Sequence, residues 1–345
     1  MTIFDLVKSG EIKGYWETMT KDRDPYMLEA LFPGDKKLGL DLSYIKGSSG
    51  LPIVLKTSAF DAKAVPRNRI GFDKMQAEMP FFKESLTVDE KLRQELNMVL
   101  QTGNQTYIDA VMNRVFADTV QLLEGAAATR ERMRAMAIST GTVVLADNGQ
   151  EYNYDYGVPE AHKFTETNFN STDFDICGYI NECLDRIEDD TGVRPTKGIV
   201  SRAQMNKITQ NDVLKKNIYV MSGGVSTVNT ANAVTYIKQQ TGVELAVYSK
   251  RYKDENGKPQ QYISDNVVVL YPEGNLGTTW FGTTPEESDL MSGSAANVSV
   301  TDTGVAITTM KHEDPVNVET KVTMICLPSF EAADQIAIID TSASG

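Results

Sequence analysis

Asp-Thr-Gly occurs twice in this chain, at Asp190 to Gly192 and at Asp302 to Gly304. Two such turns are how an aspartic protease holds two carboxylates close enough to share one proton, and 345 residues is a length compatible with that chemistry. The surroundings argue against it. The first copy ends a helical pattern, the second reads as a β-turn before Val305-Ala306-Ile307, and aspartic proteases are almost entirely β. No other reactive side chains form a constellation. His162 lies in a polar loop and His312 in an apparent strand, so neither joins a triad or a zinc site. Cys177, Cys183 and Cys326 are odd in number, lack CxxC spacing and sit among apolar neighbours, which reads as buried thiols in a reducing compartment. A Walker A loop, a GxGxxG after a strand, GxSxG, HExxH and an EF-hand loop are all missing from the sequence. The expectation is no cofactor, no metal and no catalytic residue, with an aspartic-type hydrolase kept as an alternative.

The elements that position these residues are more informative. Ile108, Val111, Met112, Val115, Thr119, Leu122, Leu123 and Ala126 recur at steps of three and four, while Asp109, Asn113, Arg114, Asp118, Gln121 and Glu124 fill the opposite face. This predicts one amphipathic helix over Asn104 to Ile138, about 35 residues and about 50 Å long. Such a rod outreaches an ordinary core and reads as a spine. Gly125 inside it predicts a close contact or a bend. Arg130, Arg132 and Arg134 fall in the last turns, where cations suit the helix C-terminus or form an intersubunit or DNA-facing patch.

Composition bounds the partners. The formal net charge is -13, from 34 basic and 47 acidic residues, so the chain as a whole repels nucleic acid and anionic lipid. A hydrophobic content of 41% suffices for a sizeable core. No apolar run of about 18 residues suggests a membrane span, and Met1 to Gly14 does not read as a signal peptide.

Residues 1 to 47 show no sustained period and read as an extended arm, with short helical pieces at Thr2 to Lys8 and Pro25 to Leu31 and a strand at Gly39 to Ile45. Past Gly47-Ser-Ser-Gly50, Leu51 to Leu55 and Ile70 to Phe82 predict two strands around a basic tip carrying Lys56, Lys63, Arg67 and Arg69. Thr87 with Glu90 reads as a capping box opening a helix to Thr102, stopped by Gly103. After the spine, Asp147-Asn-Gly149 predicts a hairpin. Then come a helix over Phe174 to Asp189 ended by Gly192, a strand at Gly198 to Ser201, and helices at Arg202 to Gln210 and Thr230 to Gln240. The loop Ser222 to Ser226 separates those two helices. Strands follow at Glu244 to Arg251, Gln260 to Ser264 and Val267 to Tyr271. The last third is β-rich: Thr278 to Phe281, Val298 to Val300, Gly304 to His312, Asn317 to Leu327 and Gln335 to Ile339.

This order, together with Ile70-Gly-Phe-Asp-Lys-Met-Gln-Ala-Glu-Met-Pro80, Val247-Tyr-Ser-Lys-Arg-Tyr-Lys-Asp-Glu-Asn-Gly-Lys258, Ile263-Ser-Asp-Asn-Val-Val-Val-Leu270, the Gly-rich Gly274 to Gly282, and Asp314-Pro315 running to Leu327-Pro328, resembles the lambda-type major capsid proteins of tailed phages (protein E family). The resemblance covers most of the chain. It implies an α+β Hong Kong 97-type capsid fold: an arm at 1–47, an extended loop at 48–85, a peripheral domain at 86–172 with spine helix 104–138, an axial domain at 173–273, a β-rich peripheral return at 274–330, and a strand at 331–345 that joins the axial domain. It further implies a non-enzymatic subunit that forms hexamers and pentamers of an icosahedral head around double-stranded DNA, assembled in the bacterial host cytoplasm. The intersubunit residues would be Lys56, Lys63, Arg67, Arg69, Ile70 and Phe72. A separate scaffolding protein and a portal are the implied partners, with a decoration protein left open and no membrane. Another phage-derived shell or tail-tube subunit is the nearest alternative. No lysine to asparagine crosslink is predicted, although Lys56 and Lys63 lie in the loop where some capsids make one.

Overall fold

The structure is a computed structural model and describes residues 8–21, 23–45, 74–88, 90, 91, 94, 98, 105–147, 149–221, 228–254, 256–290, 296–313 and 316–342. In chain order it contains helix α1 (Ser9–Thr20), strands β1 (Gly34–Lys36), β2 (Asp41–Ile45), β3 (Lys74–Glu78) and β4 (Phe81–Val88), and the spine α2 (Gln105–Thr140). Next come β5 (Thr142–Asp147), β6 (Gln150–Asp155), β7 (Lys163–Thr165), α3 (Ile176–Thr191), β8 (Lys197–Val200), α4 (Arg202–Gln210), α5 (Asp212–Met221) and α6 (Thr230–Thr241). Strands β9 (Glu244–Val247), β10 (Arg251–Lys253), β11 (Pro259–Gln261), β12 (Val267–Tyr271), β13 (Thr279–Phe281), β14 (Asn297–Thr301), β15 (Val305–Glu313), β16 (Val316–Pro328) and β17 (Ala337–Asp340) complete it. The chain divides into two compact units. One comprises Met1–Leu42, Ala77–Arg134 and Thr278–Ser329; the other comprises Ser43–Gln76, Ala135–Gly277 and Phe330–Gly345.

Unit 1 is built on β16, which is long enough to carry different partners along its two edges. β15 pairs with it from Val305↔Met324 to Glu313↔Val316 on one side. On the other, β4 takes Val318 to Ile325 and β13 takes Cys326 to Pro328. β14 extends the sheet beyond β15, and β1 extends it beyond β13. Thr320, Lys321, Val322, Thr323 and Met324 are all buried, so this strand is covered on both faces, as a central strand must be.

Two local expectations give way in this unit. Thr87 is not an N-cap: it lies in β4 opposite Glu319. The eight-residue ladder along β16 outweighs one capping box, and helical residues appear only from position 90. The second concerns the arm, where α1 forms despite Gly10 and Gly14, each costing about 1 kcal/mol against alanine. Ile12 and Trp16, four residues apart, are buried on one face of α1, and α1 packs on β14 and β15. Tertiary burial thus supplies what propensity does not. Of the segment expected to be helical at Thr2 to Lys8, only Lys8 is described, and it precedes the helix.

The spine is present as α2, and from Phe116 onward its faces follow the pattern: Thr119, Val120, Leu122 and Leu123 are buried while Asp118 and Gln121 are exposed. Gly125 makes no close approach, since a Cβ there would meet nothing within 4 Å.

Unit 2 holds a five-stranded sheet in the order β7-β17-β12-β8-β9. Val200, Leu245, Val268, Leu270, Ala337 and Ile339 share the face that meets Ile180, Leu184, Ile187, Met205, Ile208, Leu214, Ile218 and Ile237 from α3 to α6. β8 and β9 are parallel, joined by α4, α5 and α6 as a crossover. α3 begins where the Asp175 side chain accepts from the Gly178 N–H and ends at Gly192, in the left-handed conformation, as a C-cap glycine should. The hairpin forms with Asp147 opposite Gln150. α5 was not legible in the sequence; Asn211 caps it, its Oδ1 accepting from the Leu214 N–H at 2.8 Å. The single strand expected over Glu244 to Arg251 splits into β9 and β10, because its partner β8 runs out at Val200. The loop at Ser222 to Ser226 lies outside the described residues.

Candidate assembly site

In unit 1 the spine and the N-terminal arm meet through charge. Arg130, Glu131 and Arg134 lie on consecutive turns of α2 and are 5%, 0% and 2% exposed. Arg134 Nε donates to Thr279 Oγ1 at 2.9 Å and its Nη1 to Glu131 Oε2 at 3.4 Å. Glu131 Oε1 accepts from the Leu28 N–H at 3.2 Å, and Thr279 Oγ1 donates to the Phe32 carbonyl at 2.9 Å. One buried carboxylate thus joins the spine to the arm, and one threonine joins arm, spine and β13. Burial lowers the Arg134 guanidinium from its ordinary value, with Glu131 pulling the other way.

Arg130 turns to the second Asp-Thr-Gly. Its Nη2 donates to Asp302 Oδ2 at 3.0 Å and its Nη1 to Met324 Sδ at 3.5 Å, and the guanidinium stands 5.7 Å from the centre of the Phe281 ring. Trp16 Nε1 donates to Asp302 Oδ1 at 3.1 Å. Asp302 and Thr303 both take positive φ, 45° and 70°, in the turn that joins β14 to β15. The glycine is there for space: a Cβ on Gly304 would lie 2.5 Å from Phe281 Cβ. The first copy has its own structural reason. Gly192 is a helix C-cap at φ 75°, and Asp190 Oδ2 meets Arg186 Nε at 3.1 Å and His162 Nε2 at 3.2 Å. One motif terminates a helix and the other turns a hairpin, so each aspartate is occupied by structural partners.

A second buried pair supports the sheet. Lys321 Nζ lies 2.6 Å from Glu286 Oε1, and Thr323 Oγ1 donates to Glu286 Oε2 at 3.1 Å. Burial acts to raise the Glu286 carboxyl, but Lys321, its own backbone and Thr323 together hold it below the ordinary value. The Glu319 carboxyl is also lowered, first by Ser85 and then by His312, whose Nε2 stands 2.6 Å away. The three thiols are free, and burial pushes each up to about 12. Among the described residues no group of acidic, histidine or cysteine side chains could hold a metal ion, and no helix is long and apolar enough to cross a membrane.

β4 has a different character. Its one ladder among the described residues is with β16, and six of its eight residues, Phe81 and Lys83 to Thr87, are exposed, on both faces of the strand. Phe81 and Leu86 are 43% and 41% exposed. The extended loop expected over 48–85 carried no sign in the sequence that its last strand would pair with β16.

Of the residues expected at intersubunit contacts, Lys56, Lys63, Arg67, Arg69, Ile70 and Phe72 lie outside the described residues. Arg130 and Arg134 are placed within unit 1, six or more residues before the helix ends at Thr140; Arg132 is partly buried. Trp16, Asp302 and Thr279 complete their network. Only Asp302 carried a sequence signal, and that signal pointed to acid catalysis.

Comparison with known proteins assigns this architecture. The family model described as phage major capsid protein E matches residues 11–340. A prophage protein of E. coli CFT073 assigned to the capsid superposes with a TM-score of 0.61 at 12% identity, covering 97% of this chain and 99% of that one. A phage-related protein of Bordetella bronchiseptica RB50 gives 0.57 at 12% identity over 98% of both, and a capsid chain of cyanophage A-1(L) gives 0.53 at 11% over 92% and 93%. At these identities the likeness speaks for the fold, which is the Hong Kong 97 type. The match over nearly the whole length, on a chain whose conspicuous charges are spent on structure, means that it belongs to the phage major capsid protein E family and is a structural protein of a phage capsid.

Proposed function

We propose that this chain assembles into hexamers and pentamers of an icosahedral shell that encloses double-stranded DNA. The observation that carries this reading is β4, a strand with one edge unladdered among the described residues and with Phe81 and Leu86 exposed. Bare edges of this kind are templates for another chain, and in a protein made in many copies the neighbour is the natural cover. The arm at 1–47 and the loop at 48–85 would reach neighbours, with Lys56, Lys63, Arg67, Arg69, Ile70 and Phe72 at the contact. Residues 86–172 and 274–330 would form the peripheral domain, and 173–273 with 331–345 the axial domain around the capsomer centre. The net charge of -13 suits a container that does not hold its DNA by counterion release, and contact with the packaged DNA would be independent of sequence. A separate scaffolding protein and a portal would act during assembly in the host cytoplasm. The two Asp-Thr-Gly turns would supply no acid catalysis, since Asp190 and Asp302 are engaged by His162, Arg186, Arg130 and Trp16, in keeping with a non-enzymatic subunit.

Negative-stain electron microscopy of the protein expressed alone, with size-exclusion chromatography, tests this. Capsomers, shells or tubes of irregular size are expected. A compact monomer at high concentration would refute self-assembly. A ladder of covalent multimers on a denaturing gel of purified heads would refute the expectation that Lys56 and Lys63 form no crosslink.

A further inference from the structure

We propose that unit 2 carries a head-to-tail electrostatic contact between neighbouring copies of this chain, in which the acidic face of α3 in one copy meets the basic face of α4 and α5 in the next. The inference rests on the shell reading and names the surfaces that would close a capsomer.

α3 exposes Glu182, Asp185, Glu188, Asp189 and Asp190, with Arg186 the one exposed base along it. Some of this charge is matched internally. Arg194 Nη1 lies 2.5 Å from Asp185 Oδ1 and 2.6 Å from Glu188 Oε2, and Arg186 pairs with Asp190. Glu182 and Asp189 have no ion-pair partner among the described residues. α4 and α5 present the opposite sign. Arg202 and Lys216 are exposed and likewise without an ion-pair partner among the described residues, with Lys207 bonded to Asn266 and Lys215 to Asp212 beside them.

The placement of both patches runs against helix electrostatics. Glu188, Asp189 and Asp190 fill the last turn of α3, which holds no basic residue, although a helix C-terminus disfavours carboxylates. Arg202 opens α4, whose first turn holds no acid, although a helix N-terminus disfavours cations. Glu188 and Asp190 are compensated by Arg194, Arg186 and His162; Asp189 and Arg202, which have no ion-pair partner among the described residues, are the charges that point to a demand from outside the subunit.

The two patches are also at different places on the unit. α3 leads through Gly192 and Arg194 into the first residue of β8, whereas α4 leaves from its last, with Ser201 as N-cap. The acidic C-terminal half of α3 therefore lies toward one end of β8 and α4 at the other. Complementary patches at separate positions can be joined across a two-fold axis, which makes the contact twice, or head to tail, which closes into rings; the shell reading on which this inference rests selects the second. Tyr219 and Val220, at the end of α5, are 50% and 78% exposed and add apolar area on the basic side.

The test uses two reversed variants of the full chain: Glu182→Lys with Asp189→Lys, and Arg202→Glu with Lys216→Glu. Each alone puts like charges face to face, and the capsomer fraction in sedimentation velocity is expected to fall at least about tenfold. An equimolar mixture restores complementarity at every contact of an alternating ring, so hexamers should return, with closed shells reduced because five-membered rings cannot alternate. Circular dichroism confirms that each variant is folded. If either pair unfolds, Glu182→Gln with Asp189→Asn replaces the acidic reversal and should weaken assembly in the same direction, by less. Variants that assemble like the parent, or a mixture of folded variants that stays unassembled, would overturn this contact and leave the shell reading intact. A parent chain that never assembles would overturn the shell reading itself.

Discussion

Replacing Glu131 by glutamine tests the account of unit 1 most directly. The side chain is fully buried and accepts from the Leu28 N–H and from Arg134. Glutamine keeps the shape and one carbonyl oxygen but removes the negative charge, leaving the Arg134 guanidinium, 2% exposed, without its counter-charge. Removing one partner of a buried pair costs about 3 kcal/mol or more, against about 0.3–0.5 kcal/mol for an exposed pair at the same helical spacing. The expected loss corresponds to about a hundredfold shift in the unfolding equilibrium. The chain has two tryptophans, Trp16 and Trp280, and both lie in unit 1, so fluorescence during urea unfolding reports on that unit alone. Measurements belong at a concentration where the parent and variants are monomeric, because assembly adds to apparent stability. The double variant Glu131→Gln, Arg134→Met should recover part of the loss, since it deletes the stranded charge together with its partner. A loss below about 1 kcal/mol for Glu131→Gln, or strict additivity with Arg134→Met, would refute the view that these charges are coupled in a buried network.

Three further outcomes are expected. Because burial pushes the Cys177, Cys183 and Cys326 thiols from 9.0 up to about 12, a thiol reagent at neutral pH should label none of them rapidly until the chain unfolds; these raised values also mean that stability is fully present below pH 9 and declines toward pH 12, which an alkaline melting series would show, and a rapidly labelled thiol in the folded chain would contradict it. The Glu286 carboxyl is held below 4.5, so its contribution is present above that pH and is lost as pH falls through the folded value; the tryptophan-monitored stability of Glu286→Gln should therefore be lower at pH 7 and flatter with acidification than that of the parent, and parallel curves would rule this out. Thr303→Gly should raise the stability of unit 1 by about 1 kcal/mol, because a β-branched residue at φ 70° is strained and glycine is not; an unchanged or lower urea midpoint would show that the turn is not strained.

Local chemistry in the sequence was sufficient for much of this molecule. The apolar repeat of the spine, the Asn-Gly hairpin, the Gly192 cap and the limits of α4 and β12 depend on residues a few positions apart, so they can be read without knowing what packs on them. The order of those elements also carried the family resemblance. Tertiary structure alone decided what the long-range partners impose. Thr87 became a strand residue because β16 offered a ladder, α1 formed across two glycines because β14 and β15 covered Ile12 and Trp16, and β9 stopped where β8 stopped. The same holds for the charges. Arg130 and Arg134 read as helix-end cations until Asp302, 172 positions away, and Thr279, 145 positions away, claimed them. Sequence pattern specifies which face of an element is apolar, but which distant group satisfies a buried charge depends on the packing that brings the two together.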